Sequence, residues 1–124
     1  MLATALVFVG GAIGSLWRFW WSGLVARHFG ETFPFGTLVI NIIASIALGL
    51  TSGVLAHVSD RAVATALQQL LAAGVCGGLS TFSSFSLQTW NLLLERRWIA
   101  ATLNILVSTA LCFGSIALGW QIAA

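Results

Sequence analysis

Four stretches of this chain, residues 3–26, 36–56, 63–94 and 99–123, hold a single charged side chain among them, Arg18. Each is as long as the roughly 20 apolar residues that an α-helix needs to cross the hydrocarbon core of a bilayer. Inside a bilayer every main-chain N–H and C=O must find a partner within the protein, so each stretch is predicted to be helical. The chain therefore reads as an all-α integral membrane protein, one domain over residues 1–124 with four spans. No linker, second domain or internal repeat interrupts it. Polar turns fall at Phe29–Phe35, which holds Glu31 and the sole proline, Pro34, then at His57–Arg61 and Glu95–Trp98.

Charge supports the same conclusion. Charged residues make up 6% of the chain, where a soluble domain carries roughly a quarter. The net charge of +2 comes from five arginines and three acids, too few and too scattered for a nucleic-acid patch. The apolar start, MLATALVFVGG, lacks the basic leader and A-x-A site of a cleaved signal, and is read as a retained first span. Cys76 and Cys112 sit in apolar segments without metal-ligand spacing. His28 and His57 lie at span ends, away from any nucleophile, which gives an enzyme no support. The six tryptophans, Trp98 and Trp120 most clearly, suit the membrane–water interfaces. Four spans put both termini and the 57–61 turn on one side of the membrane. Arg61 then opposes Arg27, Arg96 and Arg97, a small bias that also suits a chain inserted in either orientation.

The third stretch carries GVCGGLSTFSSFS, Gly74 to Ser86, at its centre. Each of Gly74, Gly77 and Gly78 weakens a helix by roughly 1 kcal/mol relative to alanine. A helix break is expected near 77–80, with a restart near Thr81 and with Ser80 or Thr81 as the N-cap. The competing expectation is an unbroken helix that uses its glycines for close packing. Gly10 and Gly14, Gly49 and Gly53, and Gly74 and Gly78 are each four apart and offer close-approach surfaces. Four helices of this length fill their own centre with side chains, so any pathway for an ion is expected to involve a second copy.

Polar residues inside the spans are few. Arg18 either snorkels to the interface or sets a positive charge at a pathway mouth. Asn41 either bonds a neighbouring helix or donates to a passing anion. Asn104 and Ser108 share a helix face, continued by Cys112. Phe82 and Phe85 are three apart, among the hydroxyls of Thr81, Ser83, Ser84 and Ser86. Ring edges are electropositive and hydroxyls donate, so together they suit a small anion stripped of water. A cation pathway would present carboxylates or carbonyls, and no acid lies in this tract.

The chain resembles the Fluc (CrcB) family of fluoride channels in four blocks. These are GGAIGSLWR (Gly10–Arg18), PFGTLVIN (Pro34–Asn41), GGLSTFSSF (Gly77–Phe85) and, more loosely, the fourth span. The resemblance implies an antiparallel dual-topology homodimer in the bacterial inner membrane, with two fluoride pores along its interface. It implies a fluoride pathway of Asn41, Phe82 and Phe85, continued by Thr81, Ser83, Ser84 and Ser108, with Thr37 and Arg18 near the entrances. It further implies a structural sodium ion held by the backbone carbonyls of Gly77 and Ser80 and their copies in the partner. Gln88 stands where many members carry glutamate, Ser80 replaces a threonine, Ala44 a glycine, Asn104 a tyrosine and Cys112 a serine. Two other classes compete with this expectation. A proton-coupled cation exporter would want an intramembrane carboxylate, whereas Glu31, Asp60 and Glu95 all fall in turns. A non-conducting assembly subunit would tolerate loss of both phenylalanines.

Overall fold

The computed structural model describes residues 1–29 and 33–124, without the side chains of residues 26 and 29. The turn expected at 29–35, with Glu31, lies partly outside the described residues. Helix α1 (Leu2–Phe29) and α2 (Phe35–Leu55) form the first two spans. The third comprises α3 (Arg61–Leu67), a π-helical stretch Gln68–Cys76, α4 (Gly77–Leu79) and, after a gap, α5 (Phe82–Leu94). Helix α6 (Trp98–Ala123) is the fourth. All four spans are long and apolar enough to cross a membrane.

Local chemistry sets the ends of the third span. Asp60 caps α3: its Oδ1 accepts from the N–H of Ala62 at 2.9 Å and of Val63 at 3.3 Å. At the far end, Arg96 N–H donates to Leu93 O (3.0 Å) and Arg97 N–H to Leu92 O (2.9 Å). That pair of bonds is a Schellman turn, and it forces Arg96 to the left-handed φ of 57°. A non-glycine residue there costs about 1–2 kcal/mol.

The expected interruption is present, shifted to the end of its predicted range. Gly77 and Gly78 remain helical, and the chain becomes extended at Ser80 (φ −73°, ψ 157°) and Thr81 (φ −147°, ψ 112°). Thr81 then caps α5, its hydroxyl accepting from Ser84 N–H at 3.2 Å. Gly74 and Gly78 serve packing instead. A Cβ built on Gly10 would lie 2.9 Å from the Cα of Gly74, and one on Gly74 equally close to the Cα of Gly10. Side chains at this crossing would drive α1 off the π-helical stretch. Across the molecule, a Cβ on Gly49 would stand 2.9 Å from the Trp120 nitrogen, and one on Gly119 2.9 Å from the Leu50 nitrogen. The α2–α6 pairing, the most extensive in the fold, rests on that approach. Both crossings lie within one chain.

Helix α2 is the hub, touching every other span. Its Ile40 and Ala44 pack with Leu79 as the small apolar core. The second buried layer is polar, formed by Thr81, Thr89, Asn104 and Ser108. Only 11% of the residues in the first span's apolar window are buried, so lipid or another protein must cover most of that helix.

Candidate functional site

The break in the third span disturbs several main-chain groups, and side chains from α1 and α2 deal with most of them. In a continuous helix Thr81 N–H would bond to Gly77 O. Here it donates to Asn41 Oδ1 at 2.8 Å, while Asn41 Nδ2 donates back to Thr81 O at 3.1 Å. One amide from α2 thus grips both main-chain groups of one residue. The helical donor for Ser80 O would be Ser84 N–H, which is taken by the Thr81 cap. Arg18 Nη1 replaces it, donating to Ser80 O at 3.2 Å. Ser15 on α1 reaches Gly78 O at 3.5 Å. Gly77 O is left without its helical donor.

Beside this clamp runs an open groove of about 410 Å³ between α2, the break and α6. Its floor is polar, formed by Asn41, Ser45, Ser80, Thr81 and Ser108, and its rim is aromatic, formed by Phe82, Phe85 and Phe113. The Phe82 and Phe85 rings stand 5.6 Å apart, tilted by 43°. Phe82 is 77% exposed, so in a membrane its outer face meets lipid or a second protein. A chain of hydroxyl and amide bonds continues from Phe85. Thr89 Oγ1 donates to Phe85 O (2.8 Å), Asn104 Nδ2 to Thr89 Oγ1 (2.8 Å), and Ser108 Oγ to Asn104 Oδ1 (3.3 Å). This network ties α5 to α6 and sets Ser108 in the groove wall.

Asn41, Thr81, Phe82, Phe85 and Ser108 all line this one groove. Ser83 and Ser84 do not line the groove; both bond the Thr81 hydroxyl, at 3.2 and 3.0 Å. Thr37 is buried near the start of α2, outside the groove lining. Arg18 is half-buried and spends one guanidinium nitrogen on Ser80 O. Gly77 and Ser80 line a separate small cavity of about 140 Å³, together with Ala44, Ser45, Ala72 and Cys76. Ser45, Thr89 and Thr109 were missed in sequence. Ser45 and Thr89 lie one helical turn beyond Asn41 and Phe85, so extending those faces by four residues would have found them. No such spacing flags Thr109.

Residues 5–120 match the sequence model of a family described as "CrcB-like protein, Camphor Resistance (CrcB)". The chain belongs to the CrcB-like family. Its relatives include the protein named fluoride-specific ion channel FluC of Opitutus terrae, 45% identical over 113 residues, which are 91% of this chain and 86% of that one. The FluC of Paramagnetospirillum magneticum is 45% identical over 120 residues, 96% of this chain and 93% of that one. FluC 4 of Brucella abortus is 40% identical over 118 residues, 95% and 89% of the two chains. The CrcB-like match spans all four helices, including the break and the groove.

Proposed function

We propose that this multi-pass membrane protein is a passive fluoride channel, and that the groove beside the break is half of its conduction path. The observation that carries the proposal is the make-up of that groove. Asn41, Thr81 and Ser108 set amide and hydroxyl groups opposite two phenylalanine rings, and the lining contains no acid. The hydroxyl hydrogens of Thr81 and Ser108 are spent on Ser84 and Asn104. The second Nδ2 hydrogen of Asn41, the Ser45 hydroxyl and the ring edges are therefore what can replace part of a small anion's hydration. The names of the relatives point to the same ion. Hydrogen fluoride enters cells as a neutral weak acid, ionises at near-neutral pH and is trapped as the anion. A channel releases it down its electrochemical gradient with no chemical step.

The groove is open along one side, and closing it calls for a second copy. The chain exposes 7934 Å², against about 6,400 Å² for a compact monomer of 13.1 kDa. The excess surface and the outward Phe82 ring favour a homodimer in which the partner covers the groove, and the family resemblance implies that the two copies run antiparallel, giving two pores. A sodium ion fits the junction. Gly77 O has lost its helical donor, Ser80 O keeps a lone pair beyond its bond to Arg18, and a Cβ at Gly77 would meet nothing within 4 Å. Sodium, a hard cation, takes oxygen ligands, and these carbonyls with the partner's two would hold it. Its charge would bind the two broken helices together.

The test is reconstitution in liposomes loaded with equal fluoride and chloride, with efflux of each followed by ion-selective electrode. Fluoride release above that of empty liposomes, with chloride retained, is expected; no release beyond that baseline rejects the proposal. Thiol labelling of single cysteines placed in the 57–61 turn, applied from each side of intact cells, tests the dual orientation. Labelling from one side alone would exclude it.

A further inference from the structure

The turn between α5 and α6 holds a feature that fluoride conduction does not use. Arg96 is the one non-glycine residue with positive φ among the described residues. It occupies the turning position of a Schellman helix end, where glycine is the usual and least strained choice. A guanidinium kept in a strained position points to a use for the guanidinium.

Beside it is a second cavity, of about 450 Å³, lined by Phe33, Arg96, Arg97, Trp98, Ile99 and Leu103 among others. Its lining mixes two chemistries. Phe33, Ile99 and Leu103 supply apolar lining, and the two arginines line it as well, where one span ends and the next begins. Trp98, 61% exposed, marks the depth of the lipid headgroups. The contact between Arg97 and Glu95 is 4.0 Å long with both side chains well exposed, a weak surface pair. The Arg96 guanidinium has no hydrogen bond or ion pair among the described residues.

We infer that this cavity binds an anionic phospholipid, its phosphate on the Arg96 guanidinium and its upper acyl chain against Phe33, Ile99 and Leu103. Charge complementarity selects the anionic class, because a zwitterionic headgroup would bring its own ammonium toward the arginines. The apolar lining selects a lipid over free phosphate, which has nothing to place there. The lipid would brace the C-terminal end of α5, whose other end carries Phe82 and Phe85. The inference stands whether or not the groove conducts fluoride.

Native mass spectrometry of the intact protein in dodecyl maltoside, titrated with dioleoyl-phosphatidylglycerol or dioleoyl-phosphatidylcholine, tests it. Saturable binding of phosphatidylglycerol, in preference to phosphatidylcholine, is expected. Arg96→Gly should weaken phosphatidylglycerol binding about fivefold, the loss of one arginine's attraction to an anionic headgroup. The same variant should unfold in lipid-free detergent at the same temperature or higher, since glycine suits that turn. A purely structural arginine would not separate those two readouts. Equal binding of the two lipids, or an Arg96→Gly protein with full phosphatidylglycerol affinity, overturns the site. Displacement of the lipid by millimolar inorganic phosphate overturns the assignment to lipid.

Discussion

Replacing Asn41 with alanine removes the clamp on the broken helix and nothing else that the groove needs for its shape. The side chain makes two hydrogen bonds, at 2.8 and 3.1 Å, both to the main chain of a residue only 7% exposed. A buried main-chain group left without a partner costs about 1–3 kcal/mol. Alanine recovers at most about 0.7 kcal/mol through its better helix propensity within α2. The groove admits water beside Thr81, which favours the low end of the range. The net loss expected is therefore about 1–2 kcal/mol. Denaturant unfolding of purified protein in detergent would read it, and fluoride efflux from liposomes should fall in parallel as Phe82 and Phe85 lose their anchor. Asn41→Asp sharpens the test. It keeps the acceptor for Thr81 N–H but sets a carboxylate against Thr81 O, so it should be no more stable than the alanine variant and should conduct less. A loss below about 0.5 kcal/mol, the level of an ordinary surface change, with efflux unchanged, would refute the clamp.

Other expectations follow from the packing. Gly119→Val should prevent stable folding, because its Cβ would lie 2.5 Å from Ile46 O and 2.9 Å from Leu50 N, whereas Gly114→Ala, open on every side within α6, should be more stable than the parent by up to about 1 kcal/mol. Thermal unfolding in detergent separates the two. Ser45→Leu, which fills the groove floor from a position that packing leaves half-buried, should block fluoride efflux without lowering the unfolding temperature. Exhaustive replacement of sodium by N-methylglucamine should weaken the dimer or its flux, measured by size-exclusion chromatography and efflux; unchanged behaviour would dismiss sodium from the junction.

Much of this architecture was legible in the residues. Four apolar runs can only be spans in a bilayer, and three glycines ahead of a hydroxyl cluster foretold that the third would not be a plain rod. The division of labour among those residues was not legible. Gly74 and Gly78 fill the α1 crossing, a contact between positions more than sixty apart in sequence that no local pattern announces. The break falls at Ser80 and Thr81 because Asn41 and Thr81 offer substitute bonds there, and only the tertiary arrangement brings them together. The π-helical stretch Gln68–Cys76 left no trace in composition. Arg18 was weighed as a snorkelling or pathway charge, and its bond to Ser80 O adds a third role, since a long side chain can reach many targets and sequence does not choose among them. On α6, Asn104, Ser108 and Cys112 were readable as one face because their spacing of four is itself the signal.

The most direct measurement compares fluoride efflux from liposomes holding the parent protein with that from the Phe82→Ile, Phe85→Ile double variant, the two verified to share one oligomeric state. Isoleucine keeps the bulk and the apolar character of the rim but has no electropositive ring edge. The account predicts rapid fluoride release by the parent and release no faster than from protein-free liposomes by the variant. Equal rates from the two proteins would contradict it.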